Sequence, residues 1–223
     1  MRTTREELVR EYRRLGWWSD TRITDLFDAA VRSAPTQLAV LDPPNRDVLV
    51  GGSPLRLTFQ DVADLADGYA VRLLELGLGR DDILVAQLPN IAEYPALYLA
   101  ALRLGLIVSP VPMQYRRHEL EQIVDLTGAR AILTVRALKG VDYASSAVEL
   151  SKGRSLQVLC LGPDALEGSL PFLPAPVTTE SRAALTAHVD ALQVSADDVA
   201  TICWTSGPEG LPKGVPRTHN HWI

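Results

Sequence analysis

The feature that most constrains the fold is a series of short apolar runs separated by stretches of helical periodicity. Ile83–Leu88, Leu106–Val111, Ala131–Val135, Leu156–Leu161 and Val199–Cys203 each have the length of a strand and carry hardly a charge. Runs that are apolar at every position suit strands covered on both faces, as in a parallel sheet, rather than strands with one face in water. The spacing predicts helices over residues 92–104 and Glu119–Thr127, the latter stopped by Gly128. Strand, helix, strand in this order implies right-handed βαβ crossovers. The expected fold class is therefore α/β: a largely parallel, buried sheet with helices on both faces.

The N-terminal third fits the same plan. Residues 5–15 form a charged helical pattern that Gly16-Trp17-Trp18-Ser19-Asp20 breaks, and both tryptophans are expected to anchor packing. Thr24–Ser33 is a second helix, with Leu26, Phe27, Ala30 and Val31 on one face. Leu38–Leu41 and Leu55–Phe59 are short strands. Thr58 then opens the clearest helix, with Asp61 three residues on in the manner of a capping box. Val62, Leu65, Ala66, Tyr69, Leu73 and Leu76 recur at helical spacing before Gly77 ends it. Residues 162–182, rich in Gly, Pro, Ser and Thr, are expected to be a surface connection. The expected division is a helical segment over 1–20 and one domain over 21–223.

Composition narrows the function classes. A net charge of −5 argues against a nucleic-acid partner, which would want a basic face. Arg13-Arg14 and Arg116-Arg117 read as solvated helix faces, and Asp81-Asp82 and Asp197-Asp198 as solvated carboxylates ahead of strands. No run of about 18 apolar residues marks a transmembrane helix, and Met1–Arg14 lacks the apolar core of a signal peptide. Cys160 and Cys203 sit in apolar runs without metal or redox spacing, so buried free thiols and a cytoplasmic setting are expected. No metal-ligand spacing occurs among His, Cys and Asp, and His219 is expected to be structural.

The segment Trp204-Thr205-Ser206-Gly207-Pro208-Glu209-Gly210-Leu211-Pro212-Lys213-Gly214 carries the chemistry. Glycines leaving a buried strand let backbone N–H groups approach a phosphate, because no Cβ intervenes. Lys213 supplies a point charge suited to phosphate oxygens. A surface hairpin rich in Gly and Pro has a similar composition; Lys213 and the paired hydroxyls of Thr205 and Ser206 are what favour the phosphate reading. The segment is not a Walker loop, since Lys213 follows Pro212 and precedes Gly214.

Trp204, Thr205, Ser206, Gly207, Gly210, Pro212, Lys213 and Gly214 stand in register with the phosphate loop of the adenylate-forming superfamily, which this chain resembles. That superfamily includes acyl-CoA synthetases, aryl-acid AMP ligases, peptide-synthetase adenylation domains and luciferases. Val215–Asn220, Leu88-Pro89-Asn90, Thr58–Val62, and Leu99–Gly105 with Pro110, Glu119 and Leu120 extend the resemblance. Pro208 and Glu209 depart from it, standing where hydroxyl residues are common. Pro208 has no N–H to donate. A Glu209 carboxylate about 4 Å from a phosphate charge would be repelled by about 4 kcal/mol at an effective dielectric of 20, so Glu209 faces water, or a cation sits between it and the phosphates, or the loop binds ATP poorly; the first is the expectation.

The resemblance implies an acid–thiol ligase that joins a small-molecule carboxylic acid to AMP at the expense of ATP, with Mg²⁺ arriving on the nucleotide. The acyl group then passes to a thiol such as coenzyme A. It implies that Thr205, Ser206, Gly207, Pro208, Glu209, Gly210, Lys213 and Gly214 form the ATP phosphate site, and it places no catalytic residue within 1–223. The family's adenine pocket and catalytic lysine lie further along, so a missing C-terminal portion is expected, with self-association through the edge it would cover. Two alternatives stay open: an aryl-acid AMP ligase of siderophore type, suggested by Pro216–Asn220 and Gly16-Trp17-Trp18, and a non-catalytic nucleotide-binding or interaction module, suggested by Pro208 and Glu209.

Overall fold

A computed structural model describes residues 1–206 and 212–223. In chain order the elements are α1 (Glu6–Arg14), α2 (Ile23–Ser33), β1 (Leu38–Leu41), α3 (Arg46–Leu49), β2 (Arg56–Thr58), α4 (Phe59–Glu75), β3 (Ile83–Gln87), α5 (Glu93–Arg103) and β4 (Ile107–Pro110). They continue as α6 (Arg117–Thr127), β5 (Ala131–Val135), β6 (Ala137–Leu138), β7 (Val141–Asp142), α7 (Tyr143–Ser151), β8 (Gln157–Leu161), β9 (Leu170–Phe172), α8 (Thr179–Leu192), β10 (Val199–Ser206) and β11 (Pro212–Thr218). A single 3-10 turn, His219–His221, follows.

Seven strands form the main sheet in the order β11-β10-β4-β3-β5-β8-β9, with every neighbouring pair parallel except β10 and β11. All five residues of β3 and all five of β5 are buried. Alternation along each strand explains why. Leu84 and Ala86 of β3 and Leu133 of β5 pack under α4 and α5, while Ile83, Val85 and Ile132 pack against α6 and α7. Each strand thus feeds two cores, and a polar residue at either parity would enter one of them.

The chain reverses direction at β3. From β3 it crosses over α5 to β4, then returns across the other face through α6 to β5, on the far side of β3. Such a reversal opens a crevice outside the carboxyl ends of the strands, where open α/β sheets take their ligands. The loop after β4 is pinned there: the buried Gln87 amide donates to the Tyr115 carbonyl at 3.0 Å, and the Tyr143 hydroxyl donates to the Met113 carbonyl at 2.8 Å.

The start of α4 follows its sequence closely. Thr58 Oγ1 accepts from the Asp61 amide at 3.2 Å, and the Asp61 carboxylate accepts from the Thr58 amide at 2.8 Å. The Thr58 hydroxyl, which donates to that carboxylate at 2.7 Å, together with the Thr58 amide holds the Asp61 carboxyl below its ordinary range. Gly77, just past α4, takes the left-handed backbone (φ 71°) that a helix end requires.

Several expectations need correction. The stretch 162–182 is not only a surface connection: Leu170–Phe172 adds a parallel edge strand to β8, and Phe172 is fully buried, stacked on Tyr69 at 5.5 Å. Trp18 is a packing anchor, whereas Trp17 is 69% exposed. Cys160 is buried but Cys203 only half so. Asp197 and Asp198 are buried rather than solvated. Arg13, expected on a solvated helix face, reaches Asp197 Oδ2 at 2.9 Å. Arg80 reaches Asp198 at 3.0 Å. Two carboxylates can be buried in this way only because guanidinium groups and backbone N–H donors compensate the lost hydration. Among the described residues, no helix is long and apolar enough to cross a membrane.

Candidate functional site

The residues singled out by the glycine-rich segment lie on the hairpin of β10 and β11. β10 starts as a buried strand, with Val199, Ala200, Thr201 and Ile202 all covered, and emerges at Thr205, which is exposed. It runs parallel to β4 in the register Thr201↔Val108, so its outer end lies at the same edge of the sheet as the crevice. β11 returns antiparallel, with Trp204 opposite Gly214, Thr205 opposite Lys213 and Ser206 opposite Pro212. It is the last strand on its side, a position that tolerates its prolines, Pro212 and Pro216.

The register brings Thr205 and Lys213 together. Directly opposed residues point to the same face of an antiparallel pair, with Cβ atoms about 4.5–5.5 Å apart. Both residues are exposed, and the Thr205 hydroxyl donates a long bond of 3.5 Å to the Lys213 carbonyl. Ser206 and Pro212 close the described part of the hairpin. Gly207, Pro208, Glu209 and Gly210 lie outside the described residues.

Trp204 fastens the hairpin to the sheet. Its indole Nε1 donates to Oγ of the fully buried Ser109 on β4 at 2.7 Å. The ring lies over the backbone of Gly214, where an added Cβ would come within 3.0 Å of Trp204 and 3.0 Å of Ile202. Gly214 is therefore required for close approach to the indole. The sequence offered a faint sign of this contact in Ser109, a hydroxyl inside an otherwise apolar strand.

At the opposite end the hairpin is tied down by the turn that follows it. The Trp222 indole donates to Thr201 Oγ1 at 3.0 Å, and His221 Nδ1 accepts from the Thr218 amide at 3.0 Å. His219 is 1% exposed, and its Nδ1 accepts from the Ile23 amide at 3.3 Å. Burial, reinforced by the nearby Arg22 guanidinium, pushes the His219 imidazole down to about 4, so it is neutral near pH 7. Burial also lowers His221, with Arg217 adding to the effect. Both imidazoles spend a ring nitrogen on backbone N–H groups at the root, far from the exposed pair, which agrees with a structural role for His219.

A family model described as "AMP-binding enzyme" matches residues 36–223. The chain belongs to the AMP-binding enzyme family. A 2-hydroxy-7-methoxy-5-methyl-1-naphthoate–CoA ligase of Streptomyces carzinostaticus is 28% identical over 219 residues, covering 96% of this chain and 38% of that protein. A vibriobactin-specific 2,3-dihydroxybenzoate-AMP ligase of Vibrio cholerae is 27% identical over 218 residues, covering 97% of this chain and 37% of the relative. The apo structure of MbtA from Mycobacterium smegmatis superposes with a TM-score of 0.74 at 24% identity, covering 98% of this chain and 38% of that one. The chain thus spans well under half the length of the relatives it matches, and it shares its α/β fold with that solved structure over 98% of its own length. Its relatives include both acid–CoA ligases and aryl-acid AMP ligases.

Proposed function

We propose that the chain is the phosphate-gripping portion of an ATP-dependent carboxylic acid–thiol ligase, with residues 1–20 as an N-terminal helical segment and 21–223 as an incomplete AMP-binding domain. The observation that carries this reading is the Thr205–Lys213 pair, a hydroxyl and an ammonium side by side and exposed at the carboxyl edge of a parallel sheet. The upper hairpin offers polyphosphate donors and a cation, and none of Trp204, Thr205, Pro212, Lys213 and Gly214 is acidic.

In the proposed reaction, a carboxylate oxygen of the acid attacks the α-phosphorus of ATP. The bond to the β-phosphate bridging oxygen breaks, and pyrophosphate leaves with those electrons. A thiolate, such as that of coenzyme A, then attacks the acyl carbon and AMP departs. Thr205, Ser206, Gly207, Gly210 and Lys213 would hold the β- and γ-phosphates in line with the attack, where fixed donors outperform water because they need not reorient as charge moves. Pro208, Glu209 and Gly214 complete the loop in this reading. Magnesium would come bound to the nucleotide; no cluster of three acidic, His or Cys ligands occurs among the described residues.

The remainder of the relatives' length is the proposed partner of an apolar groove of about 640 Å³ lined by Phe27, Tyr98, Leu102, Cys203, Trp222 and Ile223. Left uncovered, it would favour self-association. A cytoplasmic setting belongs to the same proposal.

The test is ATP–pyrophosphate exchange across a panel of acids in a version extended to the relatives' full length. Exchange with an acid, lost in Lys213→Ala, supports the reading; a folded full-length protein that ignores ATP·Mg²⁺ refutes it and leaves a non-catalytic module. An aryl-acid AMP ligase is the second reading, favoured by the similarity to the dihydroxybenzoate-AMP ligase. Product formation on a carrier-protein thiol but not on coenzyme A would select it. Pro208→Thr should tighten ATP binding by restoring a donor; unchanged affinity by calorimetry removes that role.

A further inference from the structure

Among the strands of the sheet, β10 is joined to its inner neighbour by the fewest registered positions. β3 pairs with β4 from Ile83↔Ile107 to Ala86↔Pro110, and β5 with β8 from Ala131↔Gln157 to Val135↔Leu161. β10 meets β4 in register only at Thr201↔Val108. The hairpin lies against β4 through Val199 and Ile202, but with so little registered backbone pairing its direction also depends on the Trp204–Ser109 bond and on what holds its root.

The root is held by a segment from the other end of the sequence. Asn220 Oδ1 accepts from the Ser19 amide at 3.0 Å, and Asn220 Nδ2 donates to the Ser19 carbonyl at 3.1 Å. One side-chain amide thereby satisfies both main-chain groups of a residue 201 positions away, as a neighbouring strand would. The same Nδ2 donates to Asp197 Oδ1 at 2.9 Å, and Arg13 donates to Asp197 Oδ2 at 2.9 Å and to Asp20 at 2.6 Å. Asp197 precedes β10, Asn220 follows β11, and Asn220's own amide donates to the Ala196 carbonyl at 3.1 Å. Trp18 packs edge-on against His221 at 5.0 Å. Both legs of the hairpin are therefore bolted to residues 13–20 through one buried amide.

We infer that residues 13–20, with Asn220 as the central positioning residue, form a brace that fixes the hairpin root and so sets where Thr205 and Lys213 point. The brace itself is a matter of geometry; its bearing on nucleotide binding rests on the proposed phosphate role of the hairpin.

Hydrogen–deuterium exchange separates the two. In Asn220→Ala, the amides of residues 199–205, 213–215, 217 and 218 should exchange about tenfold faster, as expected when side-chain hydrogen bonds are lost from a local opening unit. Those of β3 and β5 should stay unchanged. Asn220→Asp should loosen the hairpin further, because it sets a second carboxylate against Asp197. The double change Asp197→Asn/Asn220→Asp restores a donor opposite an acceptor at the 197–220 contact but leaves the Ser19 carbonyl without its donor, so the hairpin should exchange more slowly than in Asn220→Asp and faster than in the unaltered chain. Unchanged hairpin exchange in Asn220→Ala would overturn the brace, as would uniform acceleration in every strand. Should Asn220→Ala fail to fold, Arg13→Gln at its partly exposed position serves instead, with about threefold faster hairpin exchange expected and no change overturning the idea. These readouts need no nucleotide, so a protein that ignores ATP would sink the phosphate reading and leave the brace standing. Where ATP is used, Asn220→Ala should raise the KM for ATP while leaving transfer from preformed acyl-adenylate to the thiol unchanged.

Discussion

The three strands β3, β4 and β5 and the hairpin β10–β11 belong to one sheet yet are held in opposite ways. The central strands are covered on both faces and zipped along their length, so their position is set by packing. The hairpin is packed at its base, emerges at Thr205, and is oriented by a few directed bonds: Trp204 to Ser109, Trp222 to Thr201, and the Asn220 and Asp197 contacts at the root. Volume holds the first region and hydrogen bonds aim the second. Substitutions should therefore act on stability in the first and on geometry in the second.

The largest effect belongs to the core. Leu133→Ala, at a fully buried position in contact with the α4–α5 layer, should cost about 2–5 kcal/mol in denaturant unfolding. A cost below that of a surface substitution would deny that packing fixes the central strands.

Next is the pH dependence of the root. His219 is neutral when folded and titrates near 4, below its ordinary value of 6.5. Unfolded chains bind more protons across that window, so stability should rise with pH from about 4 to 6.5 and fall as pH drops through it. The loss is on the order of 3 kcal/mol once pH is well below 4. His219→Gln should flatten the profile in that window; a profile of unchanged slope would show that other groups set it.

Smaller still is Gly214→Ala, which drives a methyl into Trp204 and Ile202 and should cost about 1–3 kcal/mol with a weakened Trp204–Ser109 bond, visible as altered tryptophan fluorescence. Unaltered fluorescence and stability would mean that the indole does not depend on that glycine. Thr58→Ala, which removes the α4 cap, should cost about 1 kcal/mol and leave the hairpin's exchange untouched. Hairpin exchange that rose with it would break the division between the two regions.

The division also explains what could be read from sequence. Ala131–Val135 was legible to the residue, and Ile83–Gln87 and the Thr58 cap nearly so, because local periodicity and local capping determine them. β9 was hidden because Leu170-Pro171-Phe172 is short and flanked by turn formers, and only Phe172 docking on Tyr69 makes it a strand. Asp197 and Asp198 looked solvated because their partners, Arg13 and Arg80, lie 184 and 118 positions away. The candidate site divides in the same manner. Thr205, Lys213 and Gly214 could be picked out by residue type, whereas the Ser109 anchor and the Asn220 brace are contacts across the fold that no local pattern encodes.

The central claim is that the exposed Thr205–Lys213 pair serves to grip a polyphosphate, and Lys213→Ala tests it most directly. In a full-length version, adenylate formation measured by ATP–pyrophosphate exchange should fall by about 100-fold or more, with transfer from preformed acyl-adenylate to the thiol and the unfolding midpoint unchanged. Equal losses in both half-reactions, or no loss in either, would contradict it.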